Sequence, residues 1–191
     1  MKNSKIPKSG QRSAVSGQLH IYTGNGRGKT TAALGLALRS IGAGKKVALI
    51  QFMKKPNYSE HKAIKKYKLP IDVFAYGIGF YKILGDKKSK KQHEDIVQRA
   101  WKKAQKVIES KKYDVIILDE INVAIGFGFL NIDDVVSFLR LAVSGQRSAE
   151  LLLTGRNAHP KLIKLADLVT EMKKKKHYFD KGVNARKGME Y

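Results

Sequence analysis

Cysteine is absent from the 191 residues, which excludes disulfides and thiolate metal sites and fits a reducing compartment. Any metal must therefore be held by oxygen or imidazole. No apolar run approaches the roughly 20 residues needed to span a bilayer, and the first residues lack the apolar core of a secretory signal. A soluble, cytoplasmic protein with no membrane partner is expected. Acidic residues are scarce as well: 16 stand against 38 Lys and Arg, for a formal charge of +22. Such a field attracts polyanions. The lysines are nevertheless dispersed in short clusters, among them Lys54-Lys55, Lys65-Lys66, Lys102-Lys103 and Lys173 to Lys176, which describes a solvated surface better than a nucleic-acid groove. No dedicated nucleic-acid partner is expected.

What is present is a regular alternation of apolar segments and helical patterns, the signature of a parallel sheet covered by helices. Strands are expected at Gln18 to Tyr22, Lys46 to Phe52, Ile71 to Phe74, Tyr113 to Asp119, Glu150 to Thr154 and Leu168 to Met172. Helices are expected at Lys29 to Ile41, His93 to Ser110, Ile132 to Ala142 and from Pro160 through Ala166. In the second of these Ile96, Ala100, Trp101, Ala104 and Ile108 share a face, which makes Trp101 a core residue. Asn131 suits a helix cap and Pro160 a first helical turn. The organisation expected is a flexible basic tail over residues 1–17, broken by Pro7 and Gly10, followed by one domain over 18–191.

Chemistry concentrates in Leu19-His-Ile-Tyr-Thr-Gly-Asn-Gly-Arg-Gly-Lys-Thr-Thr31, which reads as a buried strand, a glycine-rich turn and a helix start. Gly24, Gly26 and Gly28 let the backbone turn and aim N–H groups inward, Lys29 adds positive charge, and Thr30 offers a hydroxyl to a magnesium ion. The strict P-loop pattern wants glycine where Thr23 stands; the Gly-Lys-Thr core is intact. Val115 to Glu120 is a buried strand ending in two carboxylates, the arrangement by which P-loop proteins orient a cation opposite the lysine. Thr30 and Glu120 are the expected metal contacts, with Asp119 beside or behind them, unless Asp119 is a loop cap. Arg156, at the end of the strand Leu151 to Thr154, either neutralises phosphate or pairs with a surface carboxylate. His159 is too isolated to be a metal ligand. The fold class expected is α/β: a mostly parallel six-stranded sheet with helices on both faces, in the recombinase-like P-loop NTPase arrangement. These residues specify magnesium and a nucleoside triphosphate. They do not say whether the bond broken is at the γ-phosphate, in transfer to an acceptor, or at the ribose carbon.

Several segments taken together resemble the P-loop type of ATP:corrinoid adenosyltransferase. They are Tyr22 to Ala33, Arg39 to Lys45, Gln51-Phe52, Leu118-Asp-Glu120, Leu153-Thr-Gly-Arg156, Leu165 to Glu171, Lys176 to Val183 and Gly188-Met-Glu-Tyr191. The resemblance covers about Gln18 to the C-terminus and accounts for Thr23, because the family carries Thr-Gly-Asn-Gly-x-Gly-Lys-Thr-Thr. It implies transfer of the 5′-deoxyadenosyl group of ATP to the Co(I) of a reduced corrinoid, with release of triphosphate and with Mg2+ (or Mn2+) bound. Cob(I)alamin is itself the nucleophile, so the protein positions C5′ and stabilises the leaving group. The resemblance places the nucleotide on Gly24, Asn25, Gly26, Arg27, Gly28, Lys29, Thr30 and Thr31, with Asn25 and Arg39 helping to fix it, and gives the leading roles to Lys29 and Glu120. It sets Gly77-Ile-Gly-Phe80 at the family's corrinoid-facing aromatic pair, with Ile78 for the first aromatic and Phe80 for the second. A homodimer and an acidic flavoprotein reductant are further implications.

Two other readings use the same cradle. A nucleic-acid-stimulated ATPase would carry an Asp-Glu-Ala-His type box, whereas Glu120 is followed by Ile121-Asn122. A small-molecule kinase would need an arginine-bearing lid, for which Arg156 alone is thin.

Overall fold

The computed structural model describes residues 17–79, 81–82, 86–144 and 149–190. Six strands form a single sheet, β1 (Leu19–Thr23), β2 (Val47–Gln51), β3 (Ile71–Ala75), β4 (Val115–Asp119), β5 (Glu150–Thr154) and β6 (Leu168–Glu171), in the order β3-β2-β4-β5-β1-β6. Every pairing is parallel, so the sheet is wholly rather than mostly parallel. Parallel strands need crossover connections. These are supplied by α1 (Lys29–Gly42), α2 (Ser59–Lys66), α3 (Lys90–Glu109), α4 (Ile121–Gly126), α5 (Ile132–Val143) and α6 (Pro160–Leu165).

The central strands are buried on both faces, as strands covered by two helical layers must be. One set of alternating residues, Val47, Leu49, Val115, Ile117 and Leu152, packs under Ala33 and Ala37 of α1, with Ile64 of α2 at its margin. The other set, Ala48, Ile50, Ile116, Leu118, Leu151 and Leu153, packs under α3, α4, α5 and α6. Trp101 lies in this second core, 7% exposed and edge-on to Phe138.

Local signals account for most boundaries. Asn131 Oδ1 accepts from the amides of Asp133 and Asp134 and starts α5, and His159 caps α6 ahead of Pro160. The third helix begins at Lys90, three residues before the expected start, because Ser89 and Gln92 close a capping box. Its buried face is therefore His93, Val97, Ala100, Trp101, Ala104 and Val107, with Ile96 and Ile108 at the margins of that face rather than at its centre.

Two helices were not anticipated. The α2 segment, Ser-Glu-His-Lys-Ala-Ile-Lys-Lys, is short, has only Ala63 and Ile64 as apolar residues, and buries no residue completely. The α4 segment continues the apolar run of β4, and the change of direction is made by Glu120, whose φ of 65° lies in the left-handed region. A non-glycine residue there is strained by about 1–3 kcal/mol and is characteristic of functional sites.

Candidate active site

In a doubly wound sheet, ligands bind beyond the carboxyl ends of the strands. There the ends of β1, β2, β4 and β5 surround a cleft of about 290 Å³ lined by residues 25–31, Lys54, Tyr58, Glu120, Arg156, His177, Met189 and Glu190. The structure thus brings together Asn25, Gly26, Arg27, Gly28, Lys29, Thr30, Thr31, Glu120 and Arg156. Gly24 is not among the lining residues, and neither is Arg39. Arg39 lies exposed in the last turn of α1, ten residues past Lys29 and so about 15 Å along the helix axis at 1.5 Å per residue. Phe80 falls outside the described residues.

The loop is shaped for an anion. Helix α1 starts without a side-chain cap and without an acid in its first turn, leaving its amides to an incoming phosphate. Lys29 is 7% exposed, and burial pulls its pKa below the ordinary lysine value. Its ammonium donates to the carbonyls of Gly24 at 2.8 Å and Gly26 at 2.7 Å, folded onto its own loop.

Beneath the loop lies a closed polar network centred on Asp119, which is fully buried. Its Oδ1 accepts from Thr30 Oγ1 at 2.9 Å and Thr154 Oγ1 at 2.7 Å. Its Oδ2 accepts from Gln51 Nε2 at 3.0 Å and pairs with Lys54 Nζ at 3.0 Å. Burial alone would raise the Asp119 pKa; Lys54, Thr154 and Gln51 outweigh it and hold the carboxyl below its usual range. Asp119 is therefore a buried organiser that aims the Thr30 hydroxyl, more than a loop cap. Glu120 differs from it. Burial and the neighbouring Asp119 push its pKa up to about 7, and its backbone amide donates to Thr154 Oγ1 at 3.0 Å while its carboxyl lines the cleft.

Sequence reasoning missed Lys54, Glu60, Gln51 and Thr154 as site residues. Lys54 read as one of many surface lysines, yet it is 8% exposed. The available signal was position: it follows β2 by three residues, at the ligand-binding edge of the sheet. Arg156 follows β5 through Gly155, whose φ of 130° and close approach to Asn122 leave no room for a side chain. Arg156 faces Lys29 and Glu120 across the cleft closely enough to influence both.

A second surprise is the chain after β6, which forms a strap across the loop. Gly26 N donates to Met172 O at 2.7 Å, and Lys174 N donates to Asn25 Oδ1 at 2.9 Å. A methyl group on Gly24 or Gly26 would sit 2.4 or 2.6 Å from Met172 O. Arg27 donates to the Met189 carbonyl and pairs with Glu190 at 3.4 Å. Two of the loop side chains expected on the nucleotide, Asn25 and Arg27, are thus engaged by the strap.

The fold and cleft define a P-loop nucleotide-binding protein of the α/β class. Its architecture is shared by the flagellar accessory protein FlaH from Methanocaldococcus jannaschii, whose crystal structure superposes with a TM-score of 0.54 at 16% identity over 82% of this chain and 71% of that one. The particular family is settled by sequence, since the profile of the ATP:corrinoid adenosyltransferase BtuR/CobO/CobP family matches residues 15–191. This chain belongs to that family, whose members transfer the adenosyl group of ATP to a corrinoid. It is 33% identical to the corrinoid adenosyltransferase of Escherichia coli (strain K12), covering 92% of this chain and 86% of that protein. It is 31% identical to the corrinoid adenosyltransferase CobA of Salmonella typhimurium, over 92% and 86%. Among the described residues no helix is long and apolar enough to cross a membrane.

Proposed function

We propose that residues 18–191 act as one catalytic domain in which the cleft holds ATP by its triphosphate and presents C5′ to the cobalt of a reduced corrinoid. The observation that carries this reading is the convergence of four cationic side chains, Arg27, Lys29, Lys54 and Arg156, on a single cleft. The electron pair of Co(I) forms the new bond to C5′, the C5′–O5′ bond breaks, and triphosphate leaves intact. Negative charge gathers on the departing oxygen, so fixed cations act mainly in the transition state. Lys29 turns from the Gly24 and Gly26 carbonyls to the triphosphate, the amides of residues 27–30 cradle it, and Arg156 closes the cleft from the β5 side. The strap on Asn25 and Gly26 holds the loop in its receptive shape.

The donors present suit a hard divalent cation. Among the described residues no three His, Asp or Glu form a ready cage, and Mg2+ typically takes one or two protein oxygens with the rest from phosphate and water. Thr30 and Glu120 supply those oxygens, and Asp119 orients Thr30. The ion supplies Lewis-acid neutralisation of the triphosphate. The same reading makes the protein a cytoplasmic homodimer, a state supported by the open edge strand β6, where Leu168 and Val169 are 41% and 40% exposed. The +22 charge and a basic hollow at Tyr76, Arg99, Lys102, Lys103 and Lys106 support docking of an acidic flavoprotein reductant.

Reduced cobalamin, Mg2+ and ATP supplied anaerobically test the reading. The expected result is a photolabile alkylcobalt spectrum with stoichiometric triphosphate. ADP or phosphate without a spectral change overturns it.

A further inference from the structure

The ammonium of Lys54 stands where a P-loop protein needs a cation. It lies 3.0 Å from Thr30 Oγ1 and 3.0 Å from Asp119 Oδ2, with Glu60 Oε1 at 3.7 Å. Thr30 is the hydroxyl that the glycine loop offers to a metal, and Asp119 is the carboxylate at the end of the facing strand. A buried ammonium needs a partner of opposite charge, and Asp119, wholly shielded from solvent, supplies it. The position is enforced from outside the loop. Lys54 follows β2, and its backbone is pressed by Gly77, where a methyl group would come within 2.3 Å of Lys54 N.

We propose that Lys54 is a tethered cation: without nucleotide its ammonium occupies the place beside Thr30 and Asp119 that a divalent ion takes with ATP, so that metal enters only together with a triphosphate. A bare divalent ion would have to displace the ammonium from Asp119, its fully buried partner. A triphosphate in the cradle gives Lys54 a new anionic partner within the same cleft, and the Thr30 hydroxyl is released. Lys54 is in this respect a positioning residue that couples two ligands, and such coupling is reciprocal. The inference rests on the triphosphate lying in the cradle, as proposed above.

Free Mn2+, counted by its paramagnetic resonance signal, tests this without corrinoid or turnover. For the full chain alone, Mn2+ binding is expected to be weak and to strengthen when inorganic triphosphate is added. In Lys54→Met, Mn2+ alone should bind at least tenfold more tightly than to the unaltered protein, whereas Lys54→Arg should keep the original weak binding. Equal Mn2+ affinity of Lys54→Met and the unaltered chain overturns the proposal, as does tight binding by the unaltered chain without triphosphate. Should Lys54→Met fail to fold, nitrogen resonance of the lysine ammonium groups in the unaltered protein decides, with Lys54 assigned by its loss in Lys54→Arg. The signal should stay in place with Mg2+ alone and move with Mg2+ and triphosphate; movement with Mg2+ alone, or none with both, overturns it. An absence of adenosyl transfer would refute the parent reading and leave the Mn2+ titration unaffected.

Discussion

The floor of the cleft and the strap across its loop are held by different physics. The floor is a buried network in which each Asp119 oxygen has two polar partners within 3.0 Å. The strap end is held at the surface: Glu190 pairs with Arg27 and Arg186, whose side chains are 41% and 50% exposed, and Arg186 stacks over Tyr178. Buried hydrogen bonds cannot be replaced by water, and breaking one strands its partner. Exposed pairs exchange with solvent and contribute little individually. The floor should therefore be intolerant of substitution, the strap adjustable.

The sharpest break in that comparison comes from the cradle itself. Lys29→Ala should lower kcat by about a thousandfold and Glu120→Ala by about a hundredfold, the scale on which single charge-stabilising groups act; steady-state formation of alkylcobalt measures both. Near-normal rates in either would remove that residue from the site. Next in size, Gly26→Ala drives a methyl group to 2.6 Å from Met172 O and should cost about 2–4 kcal/mol, read as a lower thermal midpoint, with faster hydrogen exchange in the strap than in β4. Thr154→Val removes the hydroxyl shared by Asp119 and the Glu120 amide. It should cost about 1–3 kcal/mol in denaturant unfolding and about tenfold in turnover. A strap variant, Glu190→Gln, should change KM for ATP only a few-fold, consistent with an exposed pair. A larger effect than that of Thr154→Val would reverse the ranking of the two regions.

The smallest effect is one of acidity. Hydrogen bonds from Tyr178 and Arg186 hold Glu190 at a pKa of about 2, below its ordinary 4.5. A carboxyl depressed on folding contributes stability above the ordinary value and loses it as pH falls from about 4.5 through about 2. Amide protection in the strap should thus decline over that window before protection in β4 does. Simultaneous loss in both would show that strap and floor are one cooperative unit.

How legible this was depended on how local each signal is. The glycine turn, the apolar strands, the cap at Asn131 and the first-turn Pro160 depend on neighbours a few residues away, and they stood where the pattern placed them. Asp119 and Glu120 were recognisable as a pair, but their division of labour was not. It follows from a single left-handed residue, which directs one carboxyl under the loop and leaves the other lining the cleft. Arg39 shows the limit of a resemblance: the expected helix was there, but matched segments do not say where its last turn lies relative to the cleft, and α1 carries that side chain beyond the cleft lining. Lys54 was hidden because 38 basic residues make any one lysine look like surface.

The sequence by itself determined the layered α/β order, the anion-binding turn and, through its matched segments, the adenosyltransferase chemistry. The first two follow from local backbone freedom and from hydrophobic period, the third from resemblance to a known family. Only the tertiary structure decided which cations share the cleft, that the C-terminal strap clamps Asn25 and Arg27, and that Lys54 sits between Thr30 and Asp119. Those contacts join residues 24 to 162 positions apart, and no local pattern encodes a distance that is set only when the strands take their order in the sheet.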